Sequence, residues 1–307
     1  MQQNKLPFYQ KHPLLFCLAL ILAAVALFAG AMAALRLSGS HATGGIFKEK
    51  RVGVCHIEGF IADSSKVNAW LRELRDDHSI VGVLLRIDTP GGAVAPSQEM
   101  YNAVRRLSAE KPVVVSMGSV AASGGYYIAA AADHIVANPS TITGSIGVKM
   151  ELANMQGLMD KIGISHDALT SGDMKNAGSP FKTMTDEERT YLQGLVGDMY
   201  EQFLEAIVNG RHMQIEDVRK AADGRAYTGR QAHALGLVDT LGDMETAYDK
   251  LMELCNATDQ APLPFVEGPV EESSFLRDML HSYLGLDPAN SLSDSLRRRS
   301  DIRFLYY

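Results

Sequence analysis

Cysteine is scarce in this chain, with three in 307 residues, and none is arranged as CxxC. Cys17 sits in an apolar N-terminal run, while Cys55 and Cys255 lie far apart. The sequence therefore offers neither zinc-ligand spacing nor a redox pair, and a Cys55–Cys255 disulfide is the one pairing it leaves open. Long basic tracts are missing too. Lys and Arg number 29 against 36 Asp and Glu, a formal net charge of −7, and the one dense basic run, Arg297 to Arg299, reads as a solvated tail segment. A polyphosphate partner needs a basic face, so nucleic acid is excluded. Nor does any histidine sit where a triad needs one. His134 follows an alanine run closely and reads as a satisfied core or turn residue, and His56, His166, His212 and His233 have no motif around them. No metal and no cofactor is expected.

What the chain does have begins with LLFCLALILAAVALFAGAMAAL, residues 14–35, about 22 uncharged positions, enough to span a hydrocarbon core as a helix. Ala31, Ala33 and Ala34 could mimic a signal cleavage site, but the run is longer than a cleavable signal needs, so a retained anchor is expected. Lys5, Lys11 and His12 before it nearly balance Arg36, Lys48, Lys50 and Arg51 after it. A short head and a long following domain place residues 1–13 in the cytoplasm and the domain across the membrane. Residues 36–50 are polar and rich in Gly and Ser, a tether.

The folded part is expected over 51–257. RVGVCHIEGFI (51–61), VGVLLRIDTPGG (81–92) and KPVVVSMGSV (111–120) read as buried strands. Between the last two, Met100, Ala103, Val104 and Leu107 recur at helical spacing over 97–110. Strand, helix, strand is a βαβ unit, and strands apolar on both faces imply a covered parallel sheet, an α/β fold. Residues 153–164 read as an amphipathic helix. Residues 185–211 read as a long one, opened by a Thr185–Glu188 capping box, with Leu192, Leu195, Val196, Met199, Phe203, Leu204 and Ile207 on one core or subunit-contact face. From 258 to 307 the character changes: APLPFVEGPVEES cannot continue a helix, SFLRDMLHSYLGL can form a short one, and the end is charged.

The stretch AASGGYYIAAAA, 121–132, puts one hydroxyl, Ser123, at the head of a small-residue helix. A serine there is usually a cap. IDTPGG places Gly91 and Gly92 after a strand, where backbone N–H groups can approach a ligand, though a lone PGG is more often a turn. TGSIGV adds Ser145 between glycines. The order and spacing of TPGG, SVAASGGYYIAAAAD, TITGSIGV and SGDMKNAGSPFKTMTDEER closely resemble the signal peptide peptidase A family of membrane serine peptidases in its short, single-repeat form, from about Val52 to Leu254. Thr89 stands where that family often has serine before PGG.

The resemblance implies a Clp-protease/crotonase-like fold and peptide hydrolysis by a Ser-Lys dyad: Ser123 as nucleophile, Lys175 as general base, Ser145 orienting the lysine. Such a lysine must be desolvated until its neutral form is accessible, and Met174, Ala177, Pro180 and Phe181 could supply the apolar pocket. Lys149, close after Ser145, remains a rival by sequence. The N–H of Gly124 and one from Gly91 or Gly92 are the candidate oxyanion donors. The family further implies a ring-like homo-oligomer, in which nucleophile and lysine can come from adjacent subunits, acting at the outer face of a bacterial inner membrane on apolar peptides such as remnant signal peptides. A crotonase-type acyl-CoA enzyme and a catalytically silent membrane scaffold are the alternatives, disfavoured by the anchor and by the intact Ser123 and Lys175. The apolar close IRFLYY suggests a tail that either packs as a clasp or enters the peptide groove by strand addition.

Overall fold

The computed structural model describes residues 49–258, 261–269 and 305–306, with isolated helical positions between 14 and 30. The chain divides into Met1–Glu49 and Lys50–Tyr307. The expected anchor, head and tether lie almost wholly outside the described residues, as does the expected helix over 274–286. Among the described residues no helix is long and apolar enough to cross a membrane.

The second unit is built on parallel strands. β1 (Arg51–Ile61), β2 (Ile80–Ala93) and β3 (Val113–Ala122) pair side by side, with helix α1 (Ser65–Asp76) between the first two and α2 (Val94–Ser108) between the second and third. Their residues alternate between two cores, which is why the strands read as continuous apolar runs. Val83, Leu85, Ile87, Val113, Val115 and Met117 enter the larger core beneath α1 and α2. Val52, Val54, Leu84 and Val114 point the other way, against Ala247, Leu251 and Met252 of α8 (Met244–Leu254). Each such side chain contributes about 1.5–3 kcal/mol on burial. The βαβ expectation and the two-sided cover are both met.

β3 forks, and the fork shapes the site. Its first half pairs with β4 (His134–Ala137), which carries β7 (Thr240–Leu241); its last residues pair with β5 (Ile142–Gly144), which carries antiparallel β6 (Ala226–Thr228). A short helix, α3 (Gly124–Ala129), comes directly after β3 and is wholly buried. The alanine run is therefore mostly not helix: Ala130 to Ala132 form the turn that leaves α3, still buried. The expected helix over 153–164 is shorter, α4 (Gln156–Ile162), with no buried residue.

The long helix α5 (Asp186–Arg211) has its capping box, Thr185 Oγ1 accepting from Glu188 N–H and the Glu188 carboxylate accepting from Thr185 N–H. Only Phe203, Leu204 and Ile207 of its apolar face are buried; Leu192, Leu195, Val196 and Met199 are half-exposed. α6 (Ile215–Ala221) and α7 (Gly229–Ala234) come after it. Residues 265–268 form β8, parallel to β1, which accounts for a stretch unfit to be helix. β9 (Leu305–Tyr306) pairs antiparallel with Ala93 and Gly92. Cys55 and Cys255 are free thiols, so the disulfide left open by the sequence does not form. Burial pushes the Cys55 thiol up to about 12, leaving it inert.

Candidate functional site

The strands lose register where β1, β2 and β3 end. Glu58 pairs with Asp88 but Phe60 with Gly91, so one residue on β1 faces two on β2; Ile87 pairs with Met117 but Thr89 with Ala121. Side chains replace the missing ladder bonds. Asp88 Oδ1 accepts from Val120 N–H at 3.1 Å, and Thr89 Oγ1 donates to the Gly59 carbonyl in a short bond. Bulges of this kind bend strands and re-aim the residues beyond them. Here they bring the ends of β2 and β3 together.

Ser123 sits at the turn from β3 into α3 with φ 53° and ψ −114°, a conformation unfavourable for any residue but glycine. Its N–H is bound by Gly144 O at 2.8 Å and its carbonyl accepts from Tyr127 N–H at 2.8 Å, so the backbone is fixed on both sides. The side chain is wholly buried. It makes no capping bond, and Oγ has no hydrogen-bond partner among the described residues. The ordinary role of a serine at a helix start is thus unfilled. A strained strand-to-helix turn that aims a bare hydroxyl is how a nucleophile is presented in many hydrolases.

The candidate oxyanion donors come from two chain segments that meet at Gly124, the residue after Ser123. A Cβ placed on Gly124 would stand 3.3 Å from Gly92 N, 3.4 Å from Gly91 Cα and 2.5 Å from Ser97 Oγ, so glycine lets α3 lie close to the PGG turn without displacing the Ser97 hydroxyl. Gly92 in turn lies against β1, where a Cβ would come within 2.1 Å of Ile61 O. Of the three candidate N–H groups, that of Gly91 donates to Thr89 Oγ1 at 3.0 Å.

Ser145 is brought beside Ser123. Ala122 pairs with Gly144, so each serine comes just after a paired position, and Ser145 shares the left-handed backbone at φ 49°. Its hydroxyl lies 3.4 Å from Gly224 O. Lys149, the rival base, is exposed and forms an ion pair with Glu151 at 2.8 Å. Lys175 occupies a 3-10 turn (Asp173–Asn176) and lines a cavity with Ala177, Pro180 and Phe181, three of the four apolar residues the sequence suggested; His166 takes part and Met174 does not, and the lysine is exposed. Within one chain Lys175 and Ser123 do not hydrogen-bond.

Sequence reading passed over Ser97 and gave Thr89 no role. Ser97 is buried on the first turn of α2 and donates to Ala93 O at 2.9 Å, bracing the chain just past Gly92. Its spacing from PGG carried no signal, since a serine near a helix start has many uses. His134 is half-buried, hydrogen-bonded to Thr240 at 2.9 Å and pushed down by burial, which fits the satisfied residue expected.

A profile of peptidase family S49 matches residues 105–258, which hold Ser123, Ser145 and Lys175. The chain is 39% identical over 226 residues to a protein of Methanocaldococcus jannaschii named as a candidate protease, covering 74% of this chain and 71% of that one. It is 32% identical over 257 residues to a candidate signal peptide peptidase SppA of Enterococcus faecium, covering 79% and 75%. Protease 4 of Haemophilus influenzae is 35% identical over 216 residues, 67% of this chain but 35% of that longer protein. Identity of this extent over most of the folded unit settles descent: the chain belongs to peptidase family S49, the signal peptide peptidase A family, and is a serine peptidase.

Proposed function

We propose that the chain is a membrane-anchored endopeptidase of Clp-protease/crotonase-like fold that hydrolyses apolar peptides, such as remnant signal peptides, with Ser123 as nucleophile and Lys175 as general base. The observation that carries this is the Ser123 hydroxyl, buried, without a hydrogen-bond partner among the described residues and held in a strained turn beside the Gly92 and Gly124 backbone. The anchor is the uncharged run at 14–35.

In this reading Lys175 reaches Ser123 from a neighbouring copy. The exposed 3-10 turn and the unpartnered hydroxyl are two halves of one site, and the apolar side chains of Leu158, Ile162, Ile164 and Tyr191, each about half exposed or more, give a second copy a surface to cover. Burial in that contact supplies the desolvation a lysine base needs. Ser123 Oγ attacks the peptide carbonyl carbon while its proton passes to the neutral Lys175 amine. The oxyanion takes the N–H groups of Gly92 and Gly124. The lysine then returns the proton to the departing amine, and water repeats the sequence on the acyl-enzyme. Ser145 orients the lysine.

Peptide hydrolysis by wild type, Ser123→Ala and Lys175→Ala tests this. Each variant should lose turnover, and because the two groups act as one unit their losses should not add. Mixing the two inactive proteins into shared oligomers should restore part of the activity. Full activity in Ser123→Ala would end the reading, and no recovery in demonstrably mixed oligomers would confine the dyad to one chain.

A further inference from the structure

Thr89 is wholly buried between the PGG turn and the nucleophile helix, and it makes three contacts at once. Its hydroxyl donates to the carbonyl of Gly59, the unpaired bulge residue of β1. The same oxygen accepts the Gly91 N–H at 3.0 Å. The methyl group lies against α3, where a Cβ on Gly125 would meet Thr89 Cγ2 at 2.6 Å. A hydroxyl has one proton, and the short bond to Gly59 claims it; the Gly91 carbonyl, 3.4 Å away, is a weaker contact.

These contacts fix more than the bulge. Gly91 holds φ 108°, open to glycine and to little else, so the peptide after it could rotate without restraint from a side chain. By capturing the Gly91 N–H, the threonine sets that rotation. The next N–H, that of Gly92, is then carried toward Gly124. We infer that Thr89 is a positioning residue for hydrolysis: its hydroxyl ties Gly59 to Gly91 and thereby holds the Gly92 N–H at the place where negative charge develops, while its methyl sets the distance to α3. This rests on the reading of Ser123, Gly92 and Gly124 as the hydrolytic site. A donor displaced by about 1 Å loses much of its effect on the transition state and little of its effect on ground-state binding.

Hydrolysis of one peptide by the full chain separates the hydroxyl from the shape. Thr89→Val keeps the methyl and loses the hydroxyl; kcat should fall about 10- to 100-fold, with KM within about twofold of wild type. Affinity for a peptide aldehyde, whose adduct carries the oxygen of the tetrahedral state, should fall in step with kcat/KM. Thr89→Ser restores the hydroxyl and should recover kcat to within about threefold. Should Thr89→Val fail to fold, Thr89→Ser against Thr89→Ala makes the same one-hydroxyl comparison. Unchanged kcat in Thr89→Val with a lowered melting temperature would overturn the inference, as would a Thr89→Ser variant as slow as Thr89→Val. Full activity in Ser123→Ala would instead strike the parent reading, so the two failures are distinct.

Discussion

Replacing Ser123 should make the protein more stable as well as inactive. The hydroxyl is buried without a partner among the described residues, and a polar group so placed costs about 1–3 kcal/mol. The backbone at φ 53° and ψ −114° costs about 1–3 kcal/mol more for a residue with a side chain. Ser123→Ala removes the first cost and keeps the second. Ser123→Gly removes both, but gives back about 0.5–1 kcal/mol through the freer unfolded chain. The measurement belongs in a Lys175→Ala background, where no lysine from a neighbour can bond the hydroxyl. There Ser123→Ala should gain about 1–2 kcal/mol, or about 2–8 °C in melting temperature for a domain of this size, and Ser123→Gly at least as much. Calorimetry at matched oligomeric state reads the shift. Ser116→Ala is the control, because that buried hydroxyl accepts from Arg86 Nη1 at 2.9 Å and its loss should destabilise. If Ser123→Ala lowered the melting temperature as Ser116→Ala does, the Ser123 hydroxyl would be bonded in the folded chain and the reasoning would be wrong.

Other parts of the fold lead to two further outcomes. Deleting residues 301–307 should lower the apparent KM for a short peptide and leave kcat nearly unchanged in an intact oligomer, because β9 pairs with Gly92 and Ala93 and a tethered strand competes at an effective concentration of about millimolar; an unchanged KM would make the tail a structural clasp. The Lys182 ammonium and the Thr185 N–H hold the Glu188 carboxyl below the usual range, so its contribution is complete above the unfolded value of about 4.3 and is lost as pH falls through the lower folded value. Glu188→Gln should therefore lose less melting temperature than wild type between about pH 5 and 3, and parallel curves would assign the acid sensitivity elsewhere.

Much of the scaffold was legible because burial on both faces writes itself into a strand. β1, β2, β3 and α5 fall within a few residues of where apolar runs, helical spacing and the Thr185–Glu188 box put them. The alanine run misled in part. Alanine favours helix by propensity, yet Ala130 to Ala132 turn away after α3, since tertiary packing decides there. The grouping of Ser123, Ser145 and the glycines is implied by the family resemblance, and the pairing of Ala122 with Gly144 sets the two serines near each other. What no local pattern encodes is register: the bulges at Gly59, at Thr89–Pro90 and at Gly118–Val120 exist only when three strands are laid side by side. Nor does any local pattern show that the Gly91 N–H, a candidate oxyanion donor, donates to Thr89 Oγ1.

In the proposed mechanism the same five residues of β2, Thr89 to Ala93, serve both binding and chemistry, and this sets what any experiment there can separate. Thr89 braces the turn, Gly92 faces the nucleophile helix, and Gly92 and Ala93 pair with β9. A strand added to this edge is registered by the backbone that also carries the Gly92 N–H, so in that mechanism a shift of the whole edge displaces the peptide and the oxyanion donor together. A substitution that shifts the edge must move KM and kcat together. One that rotates only the Gly91–Gly92 peptide, as loss of the Thr89 hydroxyl should, must move kcat alone. Ser97 lies between these cases, since it holds the Ala93 carbonyl and also touches the Gly124 position. Its replacement by alanine should therefore disturb both constants, which distinguishes a brace on the binding edge from a brace on the turn.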